Sequence, residues 1–176
     1  MWSERSNSMF QIGQTVLYGM EGVCTIEERK KMKVGHTRAS YYVLRPVFRP
    51  HSTIFVPEDN AHLLSKMRPV LSKEEILQIL QEAPLEELVW IEDANERKLE
   101  YQKILIGGER LWLLRLIRTL YLRREQLQRG GKHLRTGDEQ MLRDAEKLLN
   151  DEFALVLNIA QHEVPEYIRS RIELSA

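Results

Sequence analysis

Near residue 70 the spacing of apolar residues changes from strand-like alternation to a helical period, dividing the chain into two halves that cannot share one architecture. Ahead of the change, residues 14–18, 22–26, 41–44 and 53–56 are short runs rich in Val, Ile, Thr, Tyr and Phe between turn formers. Side chains of these types fit an extended pleat, and runs this short pair into a small twisted sheet or barrel. Gly19-Met20-Glu21-Gly22 reads as the first turn, the lysine-rich stretch around Gly35 as the second, and Phe48-Arg49-Pro50-His51 as the third, with Pro57 closing the fourth strand. After the change, Ser72 and Glu75 have capping-box spacing ahead of Ile76, Leu77 and Leu80. Pro84, Gly107-Gly108 and Gly130-Gly131 then punctuate four or five helices. Thr136-Gly137-Asp138-Glu139 repeats the capping spacing before Leu142, Ala145, Leu149 and Phe153, and Val164-Pro165 opens a last short helix with Tyr167, Ile168 and Ile172.

The predicted class is α+β in two domains: a small antiparallel, barrel-like β-domain over residues 9–70 and an all-helical domain over 71–163. A short helix or tail covers 164–176. Residues 1–8 carry no pattern and read as an added tag or a misassigned start ahead of Met9.

Charge is balanced overall, with 26 basic and 26 acidic residues, yet it is unevenly distributed. Residues 29–49 hold Arg29, Lys30, Lys31, Lys33, Arg38, Arg45 and Arg49 with no carboxylate among them. Residues 109–135 hold eight basic residues against Glu109 and Glu125. Local cationic segments of this kind suit a polyanionic or acidic partner despite a net charge of zero.

Catalysis is not expected. The histidines at 36, 51, 62, 133 and 162 lack metal-ligand spacing, and the glycine pairs lack a phosphate-cradling pattern. Cys24, the single cysteine, rules out an internal disulfide and reads as a structural thiol on a strand. No cofactor, metal or small-molecule substrate is expected. No apolar run approaches the roughly 20 residues of a spanning helix, so a cytoplasmic protein without a membrane partner is expected.

Gly13, Val16, Tyr18, Gly22 and Val23, followed by Tyr41-Tyr42-Val43-Leu44 and Ile54-Phe55-Val56-Pro57-Glu58-Asp59-Asn60, resemble the opening half of the CarD and CdnL transcription regulators. Arg68-Pro69-Val70 suits that family's junction with its helices. Trp90, Arg97-Lys98 and the stretch from Tyr101 to Glu109 resemble its helical half, as do Ile117 to Leu120 and Arg123-Arg124. Gly107-Gly108 stands where the family often has Ser-Gly, and the chain beyond Ile159 runs past the matched part. The resemblance implies a Tudor-like N-terminal domain on the RNA polymerase β subunit and a helical domain at promoter DNA near the upstream edge of the bubble, stabilising the open complex.

On that basis the polymerase-binding residues are Arg29, Lys31, Thr53, Ile54, Phe55, Val56 and Pro57, where an exposed sheet edge accepts a partner strand. Composition alone favours an internal strand at residues 53–56 and a solvated hairpin for the lysines, and the resemblance reverses that preference. The DNA-binding residues are Trp90, Arg97, Lys98, Arg123 and Arg124. Trp90 reads either as a wedge at a base step or as ordinary packing, Trp112 reads as core, and the arginines either contact phosphate or solvate a helix face. A polymerase adaptor without DNA contact and a free-standing nucleic-acid-binding protein are the competing readings.

Overall fold

The computed structural model describes residues 10–82 and 86–175. The alternative start at Met9 and the expected helix end at Pro84 lie outside the described residues. The chain divides into two compact units between Val70 and Leu71.

The first unit is one antiparallel sheet of five strands: β1 (Thr15–Tyr18), β2 (Val23–Val34), β3 (Thr37–Pro46), β4 (Ile54–Pro57) and β5 (Met67–Pro69). Their order is β4-β3-β2-β1-β5, so β4 and β5 are the edges. A one-turn helix α1 (Ala61–Leu64), capped by Asn60 Oδ1 accepting from the Leu63 amide at 3.0 Å, leads into β5. One face buries Phe10, Val16, Cys24, Ile26, Tyr42, Leu44, Val56 and Met67. The predicted second turn is corrected here. The lysine-rich stretch is strand, carrying β2 to Val34, and the reversal is the two residues Gly35-His36 with Gly35 at φ +65°. Two-residue hairpin turns demand positive φ at a central position, and glycine meets that demand without steric cost.

A bulge between Ile26 and Glu28 breaks the β2–β3 register. The extra residue keeps alternation in phase with β3, since Ile26 opposes Leu44 and Arg29 opposes Tyr42 on the same side.

The second unit holds five helices: α2 (Lys73–Glu82), α3 (Ala94–Gly107), α4 (Arg110–Arg129), α5 (Thr136–Leu157) and α6 (Val164–Ser175). Fully buried Ile76, Leu80, Leu116, Leu120, Leu142, Phe153 and Val164 form its core. The Ser72–Glu75 capping box is present, with Glu75 N donating to Ser72 Oγ at 3.1 Å and Ser72 N to Glu75 Oε2 at 2.7 Å. The Ser72 amide holds the Glu75 carboxyl below its ordinary pKa. Gly108, at φ +61°, ends α3 in the left-handed region.

The second capping box is corrected. Thr136 is already helical and Arg135 caps α5 without a side-chain bond, because Asp138 turns inward to pair with Arg97 and Glu139 faces Arg124 and Arg143. The terminal segment is no tail either: Val164 is fully buried and α6 packs on α2 and α5.

Candidate functional site

Two surfaces carry the residues singled out by sequence. In the sheet unit, β4 pairs only with β3, Ile54 opposite Leu44 and Pro57 opposite Tyr41, so its other side offers unpaired backbone groups. Alternation along β4 sends Val56 fully into the core and leaves Phe55 46% exposed, with Ile54 and Pro57 intermediate. Val56 can therefore serve a partner strand through its backbone only. Thr53 is exposed and precedes the strand, which begins at Ile54.

Arg29 and Lys31 stand beside this edge in a small cleft with Lys30, Ser40 and Glu58. Arg29 is not free. Its Nε and Nη2 donate to Glu58 Oε1 and Oε2, both at 2.6 Å, and its guanidinium lies 5.5 Å over the Tyr42 ring. The hydrogen bond to Arg29 holds the Glu58 carboxyl below its ordinary value, with Lys31 adding a smaller pull in the same direction.

In the helical unit, residues 88–93 form an extended strap pinned at successive backbone groups. The Leu88 amide donates to Thr119 Oγ1 at 2.8 Å, and Tyr101 Oη donates to the Val89 carbonyl at 3.0 Å. Arg97 Nη1 donates to the carbonyls of Ile91 at 2.6 Å and Glu92 at 3.2 Å. Asp93 then caps α3 through Oδ1. Burial raises the Tyr101 hydroxyl pKa, which keeps it protonated as the donor to Val89.

The strap presents Trp90, partly buried, with two guanidinium groups against its ring: Arg97 lies 4.3 Å and Arg123 4.9 Å from the ring centroid. Each such contact is worth about 0.5–1 kcal/mol when exposed and ~2 kcal/mol when desolvated. A hollow of about 370 Å³ opens beside the ring, lined by Leu88, Thr119, Leu122, Arg123 and Gln126 among others.

The prediction that Arg97 contacts phosphate is corrected. Its side chain is 3% exposed and forms a bidentate pair with Asp138, Nε to Oδ1 at 3.0 Å and Nη2 to Oδ2 at 2.7 Å. The pair raises its pKa further, and its remaining donors hold the strap carbonyls. Arg97 is a positioning residue that braces Trp90. Lys98, the next residue, is exposed, since adjacent helical positions diverge by about 100°.

Arg123 donates to Gln126 Oε1 at 2.9 Å while its buried Nε has no partner. Arg124 lies 5.2 Å over Tyr121 and 3.9 Å from Glu139. Trp112, expected in the core, is 45% exposed with Arg115 stacked 5.0 Å over it. Asp138, Thr119 and Tyr101 were not flagged by sequence. Their roles depend on contacts 41, 31 and 12 residues away along the chain, respectively, and no local pattern carries them.

No group of three or more His, Cys, Asp or Glu among the described residues is arranged to hold a metal ion, and no helix among them is long and apolar enough to cross a membrane. Comparison with known proteins places residues 10–71 in the CarD-like/TRCF RID domain and residues 75–169 in the CarD C-terminal domain. The chain is also 26% identical over 165 residues to YdeB, a candidate transcription factor of Bacillus subtilis (strain 168), covering 90% of this chain and 99% of that one.

Proposed function

The chain belongs to the CarD family of transcription factors, which are not enzymes, and from that premise we propose that it grips the RNA polymerase β subunit through β4 and contacts upstream promoter DNA through its helical unit, stabilising the open complex. The observation that carries this reading is the β4 edge. A sheet edge with unpaired backbone groups accepts a partner strand, while alternating side chains select it. Phe55 supplies the exposed anchor, and Arg29 and Lys31 flank it with positive charge that steers an acidic surface.

The strap supports the second half. A tryptophan against which two arginines pack has lost rotamer freedom before any partner arrives, so ordering it at a base step costs less. A protein shifts the closed-to-open equilibrium only by its differential affinity for the two states. Trp90, meeting an unstacked step that exists only after melting, supplies such a difference. Lys98, Arg123 and Arg124 are the proposed phosphate neighbours, with Arg97 acting through Trp90.

Retention of purified polymerase by wild type and Phe55→Asp tests the grip, because Phe55 is exposed and the fold tolerates the change. The expected result is a loss of retention, and undiminished retention would sink the β4 assignment. Promoter melting with Trp90→Ala tests the other half. Open complexes should decline while polymerase retention holds, and equal melting would favour an adaptor without DNA contact.

A further inference from the structure

We infer that the outer part of the β2–β3 hairpin is a second, sequence-independent DNA-binding element, distinct from both the β4 edge and the Trp90 strap. Pairing of β1 with β2 reaches only Thr25, and pairing of β4 with β3 reaches only Tyr41. Beyond the Ser40 carbonyl, which accepts from the Glu58 amide at 2.9 Å, the hairpin from Met32 and Ala39 outward to Val34 and Thr37 is a ribbon of two strands without a third on either side.

Its two faces differ sharply. Arg29 and Tyr42, Lys31 and Ser40, and Lys33 and Arg38 are successive alternate rungs and share one face; with Arg29 paired to Glu58, its positive charge rests on Lys31, Lys33 and Arg38. The intervening rungs, Lys30 with Tyr41, Met32 with Ala39 and Val34 with Thr37, make the other face largely apolar, and Val34 is 57% exposed. No bond or ion pair joins Lys30, Lys33 or Arg38 to a carboxylate among the described residues, and none of them is engaged otherwise.

The Lys33–Arg38 rung is the telling one. Like charges directly opposite one another across a ladder destabilise it. This rung sits where no core contact and no neighbouring strand offsets the cost. A polyanion laid along the cationic face removes the repulsion, and a chain of phosphates is the polyanion with matching extent. The cationic stretch from Lys31 to Val34 is two strands across at about 4.8 Å spacing and roughly 13 Å long. A B-DNA major groove about 12 Å wide admits such a ribbon. The side chains offered are point charges without bidentate base-reading geometry, so the contacts fall on backbone phosphates.

Fluorescence anisotropy of a labelled duplex lacking promoter sequence, titrated with the full chain across a salt series, tests the inference. Each phosphate contact contributes about 0.9 to the slope of log affinity against log salt, so Lys33→Ala with Arg38→Ala should reduce the slope magnitude by ~1.8. Lys33→Glu should weaken binding while its melting temperature holds or rises, because it converts a repulsive rung into an attractive one. These opposite signs separate binding from folding. A wild-type slope in the double variant overturns the inference, as does weakened polymerase retention with DNA binding intact, which would assign the ribbon to the polymerase surface. Trp90→Ala and Lys98→Ala run alongside read the helical unit. A slope change confined to those two overturns the ribbon site and leaves the strap reading standing; a change confined to the ribbon variants does the reverse.

Discussion

The two units handle charge in opposite ways. In the sheet unit, Arg29–Glu58, Arg45–Glu27 and Arg49–Glu21 all lie at the surface, with every arginine more than a third exposed. In the helical unit, Arg97–Asp138 and Arg110–Glu152 are buried, and their spare donors and acceptors hold backbone: Arg97 takes two strap carbonyls, and Glu152 Oε1 accepts from the Leu71 amide at 2.8 Å. Surface pairs contribute little and remain exchangeable for a partner's charges. A buried pair costs several kcal/mol per ion to desolvate, so it persists only with complete hydrogen bonding, and removing either member strands the other. The sheet unit's arginine pairs therefore stay exchangeable for association, while the helical unit uses these two buried pairs as internal cross-links.

Asp138→Ala is the severest way to break that contrast. It leaves the Arg97 guanidinium buried and unpaired, and thermal or denaturant unfolding should show a loss of about 3–5 kcal/mol. Trp90 fluorescence should shift towards a wetter environment in the same variant. Replacing both members with apolar residues should recover much of the stability without restoring the strap, since Ile91 and Glu92 lose their donor. Next in size is Glu152→Gln, which weakens two bonds from Arg110 and one from Leu71 and should cost about 1–3 kcal/mol by denaturant titration. Ser72→Ala removes half of the α2 capping box and should cost ~1 kcal/mol.

Two carboxylates sharpen the comparison through pH. Glu58 is held low by Arg29, so its contribution is present above the unfolded carboxyl pKa of about 4.3 and is lost as pH falls through its lower folded value. Glu58→Gln should be slightly less stable than wild type at neutral pH and lose that deficit in acid, and added salt should shrink it further. Glu146 has the opposite sign, because burial raises its pKa, with Glu139 adding and Arg124 opposing. Stability contributed by its neutral form is lost as pH rises from about 4.3 through its higher folded value. Glu146→Gln should therefore melt slightly higher than wild type at neutral pH, with the gain disappearing in acid.

Much of the architecture is legible locally. Turn formers and β-branched runs placed β1, β3 and β4, and Ser72 and Glu75 marked the start of α2 because a capping box is complete within four residues. The three-residue β5 escaped notice, since a strand so short exists only through its pairing with β1. The lysine run was read as a turn because lysine has low strand propensity, yet cross-strand pairing carried β2 through it. The site divides in the same manner. The edge position of Phe55 followed from the family resemblance and not from composition, whereas the charge of Arg97 suggests solvent and only the fold brings Asp138 to it.

By itself the sequence determined that a sheet precedes a set of helices, where several elements start, and that cationic segments exist within a neutral chain. Those properties follow from backbone preference, periodicity and capping, all of which act over a few residues. Only the tertiary structure decided which charges remain available: it buried Arg97 against Asp138, exposed Trp112, brought Arg97 and Arg123 onto the Trp90 ring and set Lys33 across from Arg38. Availability depends on desolvation and register, and both are settled by residues distant in the chain.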